Sequence, residues 1–201
     1  MPPTVASRKL TLDDILDLRA YEKVRAEEKA RIIELKRKRR IEMGTILTVM
    51  FECRDTMWYQ IQEMLRAERV MTDDGVVEEL KAYNPLIPEP GQLCATIFIE
   101  ITSDAAMREW LPKLVGIEKA IVLKLSDGRE IRPVTDEQHD AALTREDVTA
   151  AVHYVRYELS PDEVSAFGQG PVQLVCTHAN YLEAVELAPH TVAELAADLA
   201  G

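Results

Sequence analysis

The chain has 201 residues, of which 47% are hydrophobic and 29% are charged, and its formal net charge is −11 at pH 7. This composition is typical of a folded domain and excludes a disordered chain. No stretch approaches the roughly 20 uninterrupted apolar residues that cross a bilayer, and residues 1–5 do not begin a signal peptide. The three cysteines are far apart and indicate reduced thiols, so we expect one cytoplasmic domain over residues 1–201.

A long charged helix is the first predicted element. Thr11 and the two acids after it favour a helix start, and apolar residues then recur at helical spacing until Gly44. The pattern predicts a helix over residues 12–40, within an N-terminal helical arm over residues 8–43. Only alanines interrupt the charges between Arg25 and Arg31, so this stretch is expected to project from the body or to contact a partner lightly.

Strands and helices alternate irregularly in the remaining body, residues 44–201. Strands are predicted over residues 45–51, 93–101, 117–125, 129–132, 148–159, 171–177 and 181–187, although the start of 148–159 also fits a helix. Helices are predicted over residues 57–66, 76–83, 104–111, 161–167 and 191–199, and the last three are expected to be capped by Ser103, Ser160 and Thr191. The turn at residues 126–128 makes its flanking strands antiparallel. The fold class is therefore α+β: a mainly antiparallel sheet of five to seven strands, a long N-terminal helix and several shorter packing helices.

The sequence lacks the common cofactor motifs. Gly168 and Gly170 are followed by a proline and a strand, whereas a phosphate-binding loop leads into a helix. No Cys-x-x-Cys pair is present for zinc or iron–sulfur clusters, and no Glu-x-x-His pair for a di-iron site. We therefore expect no cofactor.

The nearest approach to a metal site is formed by Cys176 and His178, which would lie on one face of a continuing strand. His153 would complete the group from a neighbouring strand. Buried cysteines and single histidines usually have structural roles, so the prediction is that these residues bind no metal.

The densest polar group near aromatic residues follows the first body strand. Its candidate ligand-binding residues are Glu52, Arg54, Trp58, Tyr59, Gln60, Glu63 and Arg66. A carboxylate desolvated near the aromatic rings would serve as a general acid or as an anchor for a substrate. The alternative, which we favour, is an ordinary helix face with local pairs such as Glu63–Arg66.

The basic run Lys36, Arg37, Lys38, Arg39 and Arg40 ends the predicted helix. Residues 8–40 carry 12 Lys or Arg against 7 Asp or Glu, whereas the remainder carries 12 against 28. The run complements the negative end of its own helix, although five cations exceed that need. Docking to an acidic protein surface is the alternative, and the acidic body disfavours nucleic acid.

Five segments of the chain together carry a resemblance to a known family. They are residues 8–15 (RKLTLDDI), 51–56 (FECRDT), 59–64 (YQIQEM), 83–88 (YNPLIP) and 144–148 (TREDV). Over its full length the chain resembles an uncharacterised bacterial family defined only as a domain of unknown function. The resemblance supplies no activity and no catalytic residues. It implies genes that often neighbour rubrerythrin-like and iron–sulfur oxidoreductase genes, and hence an accessory role in redox or peroxide defence.

Two functions follow as expectations. The first is a cofactor-free accessory or adaptor protein, without enzymatic activity, that docks a rubrerythrin-like or iron–sulfur protein through the N-terminal helix. The second is a small enzyme or ligand-binding protein with a pocket around Glu52, Arg54, Gln60 and Glu63. The sequence leaves homo-oligomerisation open.

Overall fold

A computed structural model describes residues 8–135 and 148–201 of the chain. These residues contain six α-helices and eight β-strands. The helices are α1 (Leu18–Arg39), α2 (Arg54–Glu68), α3 (Asp73–Tyr83), α4 (Asp104–Trp110), α5 (Pro161–Phe167) and α6 (Pro189–Ala200). The strands are β1 (Arg40–Met43), β2 (Leu47–Glu52), β3 (Gln92–Ile99), β4 (Ile121–Lys124), β5 (Glu130–Ile131), β6 (Val152–Glu158), β7 (Gln173–His178) and β8 (Tyr181–Glu186). The N-terminal residues 1–5 and most of the TREDV segment lie outside the described residues.

The strands form two antiparallel sheets of four strands each. Sheet one has the order β1-β2-β3-β6 and sheet two the order β5-β4-β7-β8. Side chains of both sheets, including Val49, Ile97 and Leu174, belong to one apolar core. The α+β class and the antiparallel pairing are thus confirmed. The prediction of a single sheet of five to seven strands is wrong, because hydrophobic alternation marks strands but does not say which strands pair.

The first helix is shorter than predicted at both ends. A short 3-10 turn occupies Leu12–Asp14, and α1 begins at Leu18 with Asp17 as its cap. Residues 40–43 alternate between exposed and buried and pair with β2, so they form a strand. Gly44, predicted to end the helix, instead has a φ of 65° in the β1–β2 turn. No helix of the described residues has the length and apolar character needed to span a bilayer.

The middle of α1 packs against α2 and does not project from the body, contrary to the prediction. Arg25 forms an ion pair with Glu63, and Arg31 forms one with Asp55, both acids lying on α2. Hydrophobic periodicity missed this packing because the contacts are polar.

The predicted helix caps agree with the structure in two of three places. The hydroxyls of Ser103 and Ser160 accept hydrogen bonds from backbone N–H groups in the first turns of α4 and α5. Thr191, predicted to cap α6, is buried inside that helix, which begins at Pro189. Proline is well suited to the first helical position, so the helix starts one half-turn earlier.

Helices cover the outer face of sheet one. All six residues of β2 are buried, which requires cover on both faces of the strand. A second apolar cluster holds α2 and α3 together and includes Leu10, Met57, Ile61 and Leu80. The molecule is therefore layered as helices, sheet one and sheet two, and the cavities described below lie at the boundaries of the helical layer.

Candidate functional site

Glu52 is a buried carboxylate at the end of β2. Alternation along the strand turns Val49 and Phe51 into the core between the sheets and Glu52 toward the helices. Its side chain accepts hydrogen bonds from the hydroxyls of Thr56, at 2.6 Å, and Thr96, at 2.7 Å. Glu52 is 5% exposed and takes part in no ion pair within the described residues. A buried charge that has only neutral partners is costly to the fold.

Glu52 lines a cavity of about 250 Å³ between the helices and sheet one, which we call the Glu52 cavity. Its other polar lining residues are Lys36 of α1, Arg40 of β1, Gln60 of α2, Tyr83 of α3, Thr96 of β3 and Tyr154 of β6. Burial raises the pKa of Tyr154, and the nearby Tyr83 and Glu52 raise it further. The Tyr154 phenol is therefore neutral at physiological pH.

Two predicted binding residues, Glu52 and Gln60, meet in this cavity. They are joined there by Lys36 and Arg40 from the basic run, which the sequence had assigned to partner docking. Lys36 is half-buried and forms no hydrogen bond or ion pair with the described residues, whereas Arg40 pairs with Glu100. The cavity thus combines one carboxylate with two cations.

Four other predicted binding residues face α1 or the segment before it. The indole nitrogen of Trp58 donates a hydrogen bond to the Asp14 carbonyl, and Arg66 pairs with Glu22. Tyr59 lies near Glu63, and burial raises the pKa of the Tyr59 phenol. These side chains join α1 to α2 and do not line the Glu52 cavity.

Glu63 is the centre of this helix contact. Its carboxylate accepts hydrogen bonds from the Tyr21 hydroxyl, at 2.7 Å, and from Nε and Nη2 of Arg25, at 2.7 and 2.8 Å. The hydrogen bonds from Arg25 hold the pKa of Glu63 below its ordinary value, while burial raises the pKa of Tyr21. The predicted Glu63–Arg66 pair is therefore replaced by pairs that link α2 to α1.

Arg54, the seventh predicted residue, lines a second cavity of about 320 Å³. We call it the Cys53 cavity, after the buried thiol that precedes α2. It is also lined by Arg8, Arg39, Asp55, Glu194 and Asp198. Burial raises the pKa of Cys53, so the group is a neutral thiol.

A larger cleft of about 690 Å³ lies between the start of α1 and the α2–α3 connection. It is lined mainly by apolar side chains, including Leu16, Leu65 and the exposed Met71, and Arg66 lies at its rim. The seven predicted residues therefore do not share one pocket. Their role in ligand binding stays a prediction.

The basic run is largely neutralised by carboxylates of the same chain. Arg37 pairs with Glu34, Lys38 with Glu194, and Arg40 with Glu100. Arg39 is 3% exposed, and its guanidinium binds Asp198 through two hydrogen bonds, at 2.6 and 3.1 Å. The run therefore anchors α1 to α6 and sheet one in addition to ending its helix.

The proposed metal-site residues are separated in the structure. Cys176 and His178 belong to β7 of sheet two, whereas His153 belongs to β6 of sheet one. The prediction that His153 lies on a strand next to Cys176 and His178 is therefore wrong. His178 donates a hydrogen bond to the Val115 carbonyl. Within residues 8–135 and 148–201, no three His, Cys, Asp or Glu side chains form a metal-binding group.

Sequence reasoning missed several buried polar residues. The Gln62 side chain binds both backbone polar groups of Leu16, which fixes the segment before α1. His153 Nδ1 and Glu118 Oε2 face each other at 4.0 Å, both buried and without a hydrogen-bond partner in the part of the chain that the structure describes. Neither pair has a sequence signature, because each joins residues far apart in the chain.

Comparison with known proteins identifies a family and a similar solved structure. The sequence profile of a family described as Protein of unknown function (DUF3501) matches residues 9–199. A similar solved structure is described as a novel protein of unknown function from Burkholderia pseudomallei. It is 38% identical, has a TM-score of 0.87, and covers 95% of this chain and 99% of its own. A search of the curated proteins finds no match.

Proposed function

The chain belongs to the DUF3501 family of proteins of unknown function, so we propose a function from the Glu52 cavity itself: the protein binds a small zwitterionic molecule about the size of an amino acid. The observation that carries this proposal is the burial of Glu52 beside a cavity, with two hydroxyl partners and no ion pair among the described residues. This adopts the ligand-binding alternative from the sequence, with a different set of lining residues.

The carboxylate of Glu52 can accept further hydrogen bonds from a cationic group of a ligand. Each carboxylate oxygen accepts about two hydrogen bonds, and each oxygen of Glu52 accepts one from a threonine hydroxyl. A ligand ammonium group would supply both a direct ion pair and the remaining hydrogen-bond donors. Charge-assisted hydrogen bonds of this kind are stronger than neutral ones, so they favour an ammonium over a hydroxyl.

Lys36 and Arg40 line the same cavity and would bind the negatively charged group of the ligand. The Lys36 ammonium has no partner within the described residues and is half-buried, so a ligand carboxylate would satisfy it. Gln60 and Tyr83 add neutral polar groups that orient a ligand between the two charged ends. The volume of about 250 Å³ lies below the usual range for drug-sized ligands and indicates a small occupant.

The test is a thermal-shift and calorimetric screen of the amino acids, with matching amines that lack the carboxylate. A zwitterion that binds should stabilise the wild-type protein by about 2.7 kcal/mol at a hundred times its Kd. Glu52→Gln keeps the side-chain volume and removes the charge, so binding should weaken about 10- to 100-fold. The matching amine should bind more weakly because it leaves Lys36 unpaired.

The matched control is Glu42→Gln, the same chemical change at an exposed position of β1 in the same sheet. It should leave the affinity unchanged. Absence of binding across the whole panel, or equal affinity of Glu52→Gln and the wild type, would refute the assignment.

The accessory role in a redox or peroxide-defence system is the second candidate. What favours it is the surface position of Arg37 and Lys38, whose side chains are 71% and 50% exposed and are held by exposed ion pairs. Such pairs contribute only about 0–1 kcal/mol, so an acidic partner surface can replace them at little cost.

Co-purification of tagged protein from its native cells tests this role. The Arg37→Gln and Lys38→Gln double variant should lose rubrerythrin-like or iron–sulfur proteins that the wild type retains. The control is Arg129→Gln and Arg132→Gln, two exposed arginines next to β5. The same partner set with both double variants would argue against docking through the basic run.

A further inference from the structure

The Cys53 cavity is a second site, separate from the Glu52 cavity and independent of the function proposed for it. It lies where the end of α1, the start of α2 and the end of α6 meet, and Arg8 closes one side. We propose that this cavity binds a small oxyanion, such as a carboxylate or a phosphate, through Arg8 and Arg39.

Arg39 has one N–H group, at Nε, that lacks a hydrogen-bond acceptor in the described residues. Its side chain is 4% exposed, and its terminal nitrogens bind Asp198 and Glu194. Its Nε, however, is buried and has no hydrogen-bond partner in the described structure. Buried donors are nearly always satisfied in folded proteins, so an unpaired one beside a cavity points to a missing acceptor.

Arg8 carries a positive charge that no carboxylate of the described residues neutralises through an ion pair. Its Nη1 donates hydrogen bonds to the backbone carbonyls of Pro88 and Asp198, and no ion pair of the described residues includes it. Backbone carbonyls satisfy donors but do not neutralise a guanidinium. The planar guanidinium is well matched in shape to carboxylate and phosphate oxygens.

The carboxylates that line this cavity are already occupied by cations. Asp55 pairs with Arg31, Glu194 with Lys38, and Asp198 with Arg39. Arg54 is likewise paired, with Asp14 just outside the cavity. Among the three arginines and three carboxylates that line the cavity, Arg8 is therefore the one side chain without an ion-pair partner in the described residues, although the chain as a whole carries −11.

The start of α2 adds to the attraction for an anion. The 15-residue helix places its positive end next to the cavity, and the Cys53 sulfur accepts backbone hydrogen bonds at that end. Because burial raises the pKa of Cys53, its thiol stays neutral and does not supply the negative charge itself. Cys53 lines the cavity, and its alkylation proceeds through the small thiolate fraction of this buried thiol, so a bound anion that blocks access slows the reaction.

The test measures alkylation of Cys53 by neutral iodoacetamide in the full-length protein. Sodium phosphate, sulfate or acetate is added and compared with chloride at equal ionic strength. Peptide mass spectrometry separates Cys53 from the other buried cysteines, Cys94 and Cys176. An anion present at ten times its Kd should slow the alkylation of Cys53 about tenfold and leave the other two unchanged.

Two variants connect this protection to the arginines. Arg8→Gln should weaken protection about tenfold, since it removes a charge-assisted contact. Arg19→Gln, which changes an exposed arginine of α1 outside this cavity, should protect as the wild type does. Protection by acetate alone identifies a carboxylate site, and protection by phosphate or sulfate identifies a site for tetrahedral anions. Equal protection by chloride, no protection by any of the three, or full protection of Arg8→Gln would overturn the proposal.

Discussion

Three charged side chains, the half-buried Glu63 and the buried Arg39 and Glu52, are neutralised to different extents. Glu63 is neutralised by Arg25 and also accepts a hydrogen bond from a tyrosine hydroxyl, so it joins two helices. Arg39 is neutralised by Asp198 but keeps one unpaired nitrogen. Glu52 has only hydroxyl partners. The last two are incomplete within the described chain, and for that reason both proposed sites involve them.

Glu63→Gln should destabilise the protein by about 2 kcal/mol at pH 7, because it removes a partly buried ion pair. The native pKa of Glu63 lies below its ordinary value of 4.5, so the carboxylate stabilises the fold above that pH. This contribution is lost as the pH falls through the lowered native value. Urea unfolding should therefore show the difference between wild type and variant shrinking below pH 4.5.

Glu34→Gln is the control for this pH dependence, because Glu34 is exposed and, among the described residues, pairs only with the exposed Arg37. Its effect should stay below about 1 kcal/mol at every pH. A constant difference between Glu63→Gln and wild type from pH 7 down to strongly acidic pH would contradict the assigned role of the ionised carboxylate.

At the level of elements, α1 is the helix that ties the molecule together. It contacts α2 through Arg25 and Arg31 and α6 through Lys38 and Arg39. Only Tyr21, Ile32 and Arg39 are buried along its length. Its attachment therefore depends on ion pairs and a few large contacts instead of a continuous apolar stripe, which explains why hydrophobic spacing placed its ends and its surroundings incorrectly.

Asp198→Asn should destabilise the protein by about 3–5 kcal/mol, because it leaves the buried Arg39 guanidinium without its closest counter-charge. The matched control is Asp55→Asn, the same change at an ion pair in which both side chains are 46% exposed. That variant should lose at most about 1 kcal/mol. Equal free energies of unfolding for the two variants, measured in urea, would show that the α1–α6 contact does not depend on this charge.

At the level of the whole molecule, the two sheets pack their apolar faces into one core. Each sheet includes strands that are distant in sequence. β4 pairs with β7, and β3 pairs with β6, across long intervening segments. The two sheets also meet at one edge, where the Tyr181 hydroxyl donates a hydrogen bond to the Met43 carbonyl. The glycine at position 44 leaves room for this tyrosine, since a Cβ there would collide with its hydroxyl. The turn glycine therefore serves the contact between the sheets, a role that its neighbours in sequence do not reveal.

The sequence by itself determined the local structure: six helices, the antiparallel hairpin at Gly128, the caps at Ser103 and Ser160, and the α+β class. These follow from patterns within a few residues, where side-chain spacing and backbone preferences act directly. The sequence also predicted Glu52 and Gln60 as binding residues, and both line the Glu52 cavity.

Only the tertiary structure decided which strands share a sheet, which cation meets which carboxylate, and which polar groups remain incomplete. Those outcomes depend on packing between residues far apart in the chain, and ion pairs leave no periodic trace in the sequence. The basic run shows the difference most clearly. Its charges were evident from the sequence, but their division among a helix anchor, two cavities and exposed ion pairs arose only when the layers packed together.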